Sequence, residues 1–135
     1  MSSTEKVIEL LLADILSFHD YLEQFFVMSP GIHDQGLLES AISVPFQSYG
    51  GVPLYSSIYE KAARLCYGLA KNHPFIDGNK RIAIHSMLVF LSINQVDIYY
   101  TDDEMENIVI DIVTNKMSCE ELSEWLRVRA RQINE

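Results

Sequence analysis

The run from Asn79 to about Asn94 restricts the fold of this chain most. There Ile82, Ala83, Ile84, Met87, Leu88, Val89, Phe90, Leu91 and Ile93 leave almost no polar face. At 3.6 residues per turn these positions point in nearly every direction, so a helix here must be enclosed by other elements. The rest of the sequence supplies those elements as helices. Val7, Leu11, Ile15, Phe18, Leu22 and Phe25 recur every three or four residues and predict a long amphipathic helix from about Thr4 to Phe26, stopped by Ser29-Pro30-Gly31. A shorter helix is predicted over Gly36 to Val44, closed by Pro45. Another runs from Ser57 to about Asn72, with Ser56 or Ser57 as its cap. It ends before His73-Pro74, because proline disfavours helical geometry in the residue ahead of it. Thr101-x-x-Glu104 and Ser118-x-x-Glu121 are capping boxes that open two more helices. Pro45 to Ser57, with two prolines and Gly50-Gly51, reads as a loop or short hairpin, and Val96 to Tyr100 as an extended connector. The predicted fold is all-α: one compact helical bundle over residues 1–135 around a central buried helix.

Charge and cysteine usage narrow the function. Ten Lys plus Arg against nineteen Asp plus Glu give a net charge of −9. Such a surface repels phosphate backbones, so no nucleic-acid partner is expected and a basic or neutral protein fits better. Cys66 and Cys119 lack CxxC spacing and read as buried free thiols of a reducing compartment. The apolar cluster from Val7 to Leu12 is broken by Glu9 and followed by Asp14, so neither a membrane span nor a signal peptide is expected, and a cytoplasmic location is.

The chemistry concentrates in His73-Pro74-Phe75-Ile76-Asp77-Gly78-Asn79-Lys80-Arg81, which lies between two predicted helices. Gly78 lets a bulky ligand approach the backbone, and the first turn of the next helix presents unpaired N–H groups at the positive end of the helix dipole. That is an anion site. Lys80 and Arg81 add two charges beside it, although cations at this end oppose the dipole unless an anion is bound between them. Asp77 suits Mg²⁺, which favours carboxylate oxygen and bridges substrate phosphates, and His73 can accept a proton from a hydroxyl near neutral pH. Taken singly, a Gly-Asn turn and two solvent-facing cations need no function. Together they spell transfer of a phosphate-containing group. His19, His33 and His85 form no histidine pair at ligand spacing and read as core or surface residues, and Lys71 as solvated.

The nine-residue run resembles the signature of the Fic/Doc family, and its Gly-Asn-Lys-Arg ending resembles the Doc branch. The Fic pattern has glycine where this chain has Lys80 and a second arginine where it has Ile84. Gly36-Leu37-Leu38-Glu39-Ser40-Ala41, Tyr49-Gly50-Gly51, Lys61-Ala62-Ala63 and the segment from Met117 to Leu126 are similar to Doc-like chains too. The resemblance implies a helical fold that binds ATP and Mg²⁺ and modifies a hydroxyl on a target protein. His73 would be the base, Asp77 the metal ligand, Gly78, Asn79, Lys80 and Arg81 the phosphate cradle, and Phe75 the anchor of the loop. For the Doc branch it implies a kinase that moves the terminal phosphate, with a translation elongation factor as target. For the Fic branch it implies adenylyl transfer. A non-catalytic module that keeps the fold is the third reading. The segment from Tyr49 to Ser56 would lie over the cleft and dock the target. Ser56 to Glu60 has the spacing of an internal inhibitory motif, but Lys61 breaks it, so restraint is expected from a separate antitoxin protein.

Overall fold

The computed structural model describes residues 6–132, and among these the chain forms six α-helices and two small antiparallel ribbons. Helix α1 is Leu12–Glu23 and α2 is Gln35–Ser43, the latter running into a turn of 3₁₀ helix at Val44–Phe46. Strands β1 (Ser48–Tyr49) and β2 (Val52–Pro53) follow. After them come α3 (Ile58–Asn72), α4 (Asn79–Ile93), β3 (Val96–Ile98), α5 (Asp102–Val113), α6 (Cys119–Arg129) and β4 (Ala130–Gln132). The expected all-helical bundle is present, with the central pair α3 and α4 packed along each other. Ile82, Ala83, Met87, Phe90 and Leu91 of α4 are fully buried, as the lack of a polar face requires. α1 covers α4, α2 and α6 cover α3, and α5 packs against both.

The first helix is shorter than predicted. Thr4 lies outside the described residues, and residues 6–11 form no helix. The Asn94 side chain accepts from the Ile8 N–H at 2.8 Å and donates to its carbonyl at 2.9 Å, which supplies the bonds that a helix would otherwise make. Asp14 then takes the Leu11 N–H at 2.8 Å and starts the helix. At the other end the helix stops at Glu23, so Phe25 and Phe26 stand beyond it and are exposed.

The stretch predicted as loop or hairpin is a hairpin. Tyr49 pairs with Val52 across Gly50 and Gly51, both at positive φ, the conformation that a tight two-residue turn demands. β3 occupies the predicted connector and pairs with β4, a strand not foreseen. Cys66 and Cys119 are free and buried, and burial pushes their thiols up to about 12 and about 11. Among the described residues no helix is long and apolar enough to cross a membrane.

The cap of α3 is Ser57, which forms a capping box with Glu60, and the boxes at Thr101 and Ser118 form as read. Glu104 of the second box is also gripped by Arg129, at 3.0 and 2.6 Å, which ties α5 to the end of α6. Arg129 and the Thr101 N–H hold its carboxyl down at about 2. A lowered pKa makes this contribution complete above the unfolded value of 4.5, and it is lost as pH falls toward about 2. On acidification from about pH 5 to about pH 2 the urea midpoint of the parent protein is therefore expected to fall further than that of Glu104→Gln.

Candidate active site

The motif loop joins the two central helices, and each of its turns has a local cause. Pro74 disfavours right-handed helical geometry at His73, which caps α3 in the left-handed region at φ 51°, ψ 53°. The Pro74 carbonyl then accepts the N–H groups of His33 (2.7 Å) and Asp34 (3.0 Å). His73 is thereby turned to the surface, and its imidazole has no hydrogen-bond partner among the described residues. Phe75 enters the core, 2% exposed, as expected of an anchor.

Asn79 does something different from its expected part in a phosphate cradle. Its side chain is buried, and its two polar atoms close on Phe75: Oδ1 accepts the Phe75 N–H at 2.8 Å and Nδ2 donates to the Phe75 carbonyl at 2.9 Å. The Asn79 amide holds the loop in shape, which leaves only its main-chain N–H for a ligand.

Asp77 is exposed. Its Oδ2 accepts the Ser29 N–H at 3.0 Å and its Oδ1 the Gly78 N–H at 2.8 Å. These two N–H groups, followed by the charge of Arg81, hold its carboxyl below the usual carboxylate range. Gly78 sits at φ +81°, and a Cβ there would stand 2.2 Å from the Met28 methyl, so no larger residue fits without displacement.

The start of α4 is unlike those of the other helices. Asp14 stands in the first turn of α1, Asp34 caps α2, and capping boxes with carboxylates open α3, α5 and α6. At α4 the cap is Gly78, no side chain bonds the first turn, and no acidic residue stands in it. Lys80 and Arg81 are there instead, both exposed. The open N–H groups, the dipole end and two cations therefore share one cleft of about 190 Å³, lined by residues 73 and 76–81.

α1 and the segment after it back this cleft, a role that their sequence did not announce. His19, 3% exposed, donates from Nε2 to the Asp77 carbonyl at 2.9 Å and meets the Glu23 carboxylate through Nδ1 at 2.7 Å. Its ring stacks on Phe75 with centroids 4.3 Å apart. Phe26 lies against the Arg81 guanidinium at 4.0 Å. His85 does not line this cleft: it packs edge-on against Phe18, and burial lowers its pKa. Lys71 is exposed and bonds Asn115.

A family model described as Fic/DOC family matches residues 9–91, which hold α1 to α4 and the whole motif loop. With the helical fold and this loop geometry, the chain belongs to the Fic/DOC family. "Toxin Doc" from Mycolicibacterium smegmatis (strain ATCC 700084 / mc(2)155) is 33% identical to it, over 70% of this chain and 82% of that protein. "Protein kinase doc" from Escherichia phage P1 is 26% identical, over 84% of this chain and 89% of that protein.

A magnesium site fits the residues present. Among the described residues no group of three His, Cys, Asp or Glu could cage a metal. Asp77 offers one exposed, ionised carboxylate whose oxygens each take a single N–H, and Mg²⁺ is commonly held by one or two carboxylates together with substrate phosphates.

Proposed function

We propose that the protein is a kinase of the Doc type, which passes the terminal phosphate of ATP to a hydroxyl side chain of a target protein. The observation that carries this reading is the uncapped start of α4, where open N–H groups, Lys80 and Arg81 share a cleft with His73 and Asp77. In the step envisaged, the acceptor oxygen bonds to the terminal phosphorus as the bond from that phosphorus to its bridging oxygen breaks. ADP leaves, and the hydroxyl proton passes to His73. Lys80, Arg81 and the amides of the first turn hold the transferring group and its developing charge. Asp77 would hold Mg²⁺, which when bound neutralises phosphate charge. Three supports converge on this chemistry: the exposed imidazole, the lysine in place of the Fic glycine, and the printed name of the phage relative.

The family resemblance points to a translation elongation factor as the target. It also points to a separate antitoxin as the restraint, in keeping with the name "Toxin Doc" of the mycobacterial relative. The hairpin of β1 and β2, with Tyr49 and Val52 exposed, is the edge on which an extended stretch of target would dock. None of its residues lines the motif cleft.

Two labels on ATP separate the readings. Incubated with the protein, Mg²⁺ and a cell lysate, ATP labelled on its terminal phosphate is expected to label a protein band. ATP labelled on the adenine-bearing phosphate is expected to leave the lysate blank. Label arriving only from the second nucleotide would replace the kinase reading with adenylyl transfer, and label from neither would favour a binding module.

A further inference from the structure

We infer that Lys61 and Arg64 are positioning residues for the target protein: together they clamp Tyr55 and so hold the hairpin of β1 and β2 in place, an inference that rests on the docking role proposed above for that hairpin. The ribbon has little of its own to hold it. Its strands share two residue pairs and all four strand residues are exposed, and an isolated hairpin is marginally stable at best in water. Its place is therefore set from its flanks. Ahead of β1, Phe46 packs edge-on against Phe90 with centroids 5.5 Å apart. Past β2, the Leu54 N–H bonds the Gln47 carbonyl at 3.0 Å, and the next residue, Tyr55, is the anchor.

The first two turns of α3 take hold of Tyr55 at two points. Lys61 Nζ donates to the Tyr55 carbonyl, and the Arg64 guanidinium lies over the Tyr55 ring, 4.9 Å from its centroid. The lysine is the unusual member. It is 7% exposed, and among the described residues no carboxylate comes within ion-pairing distance of it. Lysines are almost never buried without such a partner, because a desolvated ammonium costs more than one carbonyl bond returns. A methionine would fill the same space without that cost, so stability alone does not account for a lysine here. What the ammonium adds is a fixed main-chain group at the end of the hairpin. Arg64 is also left without a close carboxylate: Glu120, 3.9 Å away, is exposed, and the guanidinium meets the rings of Tyr55 and Tyr67 instead. Since α3 carries this clamp near its start and ends at His73, one rigid helix sets the docking edge in register with the base.

Two readouts on Lys61→Met test this: amide hydrogen exchange of residues 47–55 in the protein alone, and the rate of label transfer from the terminal phosphate of ATP as lysate concentration rises. Exchange in the hairpin should quicken by at least about tenfold. The half-saturating lysate concentration should rise by at least about fivefold, with the limiting rate and the affinity for ATP within about twofold of the parent. Tyr55→Ala, which removes the ring that Arg64 holds, gives the same readout if Lys61→Met does not fold, and Tyr55→Phe should behave as the parent. Unchanged hairpin exchange in a folded variant would overturn the inference. A loosened hairpin with unchanged half-saturation would overturn it too, and would strike the docking role beneath it. Absence of labelling by the parent would instead strike the kinase reading, and hairpin exchange would then decide the clamp by itself.

Discussion

His73→Ala should lose label transfer by about 10²–10⁴-fold while its affinity for ATP with Mg²⁺ stays within about twofold of the parent. The split follows from where the imidazole sits. His73 is exposed and lies ahead of the cleft residues that meet phosphate, so its loss removes a proton acceptor without opening the phosphate cradle. Stability should barely move, since the side chain is outside the core. His73→Asn is the cleaner variant, because asparagine tolerates the left-handed backbone that this position adopts. Initial rates at saturating ATP, set beside binding constants, check both variants. Transfer that persists in either would take His73 out of the mechanism.

Asn79→Ala carries the largest expected loss of stability in the motif, about 2–4 kcal/mol. Both Phe75 main-chain groups depend on this one buried amide, and alanine leaves an N–H and a carbonyl without partners inside the fold. Lys80→Ala is the control. Its side chain is exposed, so stability should stay within about 0.5 kcal/mol, while nucleotide affinity falls through the lost charge. Urea denaturation of the two variants separates a residue that builds the loop from one that faces the ligand. An Asn79→Ala protein as stable as the parent would mean that the loop is held by something else.

The contrast between these two neighbours marks how far the sequence could be read. The apolar run of α4 foretold a buried central helix, because no amphipathic placement can hide it. The Thr-x-x-Glu and Ser-x-x-Glu boxes at Thr101 and Ser118 foretold two helix starts, because the reciprocal bonds are local. Contacts between distant segments were not legible. The non-helical Lys6-to-Leu11 segment is held by an amide 86 residues away from Ile8, at Asn94, which no helical period reveals. His19 looked like an ordinary core histidine, and its bond to Asp77 spans 58 positions. Asn79 reads as polar and available in the motif, but the turn geometry folds its side chain back onto Phe75.

The same distinction explains why the second half of α1 and the segment following it matter. His19, Phe26, Met28 and Ser29 each touch the motif, His19 at both Asp77 and Phe75, yet none belongs to the nine-residue signature. They fix the shape of the loop, whereas the signature carries its chemistry. Motif matching alone would therefore pass over the residues that hold Asp77 and Arg81 in place.

At 15.5 kDa the protein suits backbone NMR, and a titration with ATP and Mg²⁺ reads the phosphate cradle directly. The largest amide shifts are expected at Gly78, Asn79, Lys80 and Arg81, the open first turn of α4, and they should vanish when Lys80 and Arg81 are both replaced by alanine. Unmoved amides at these four positions at saturating nucleotide, with shifts elsewhere or none at all, would contradict the account.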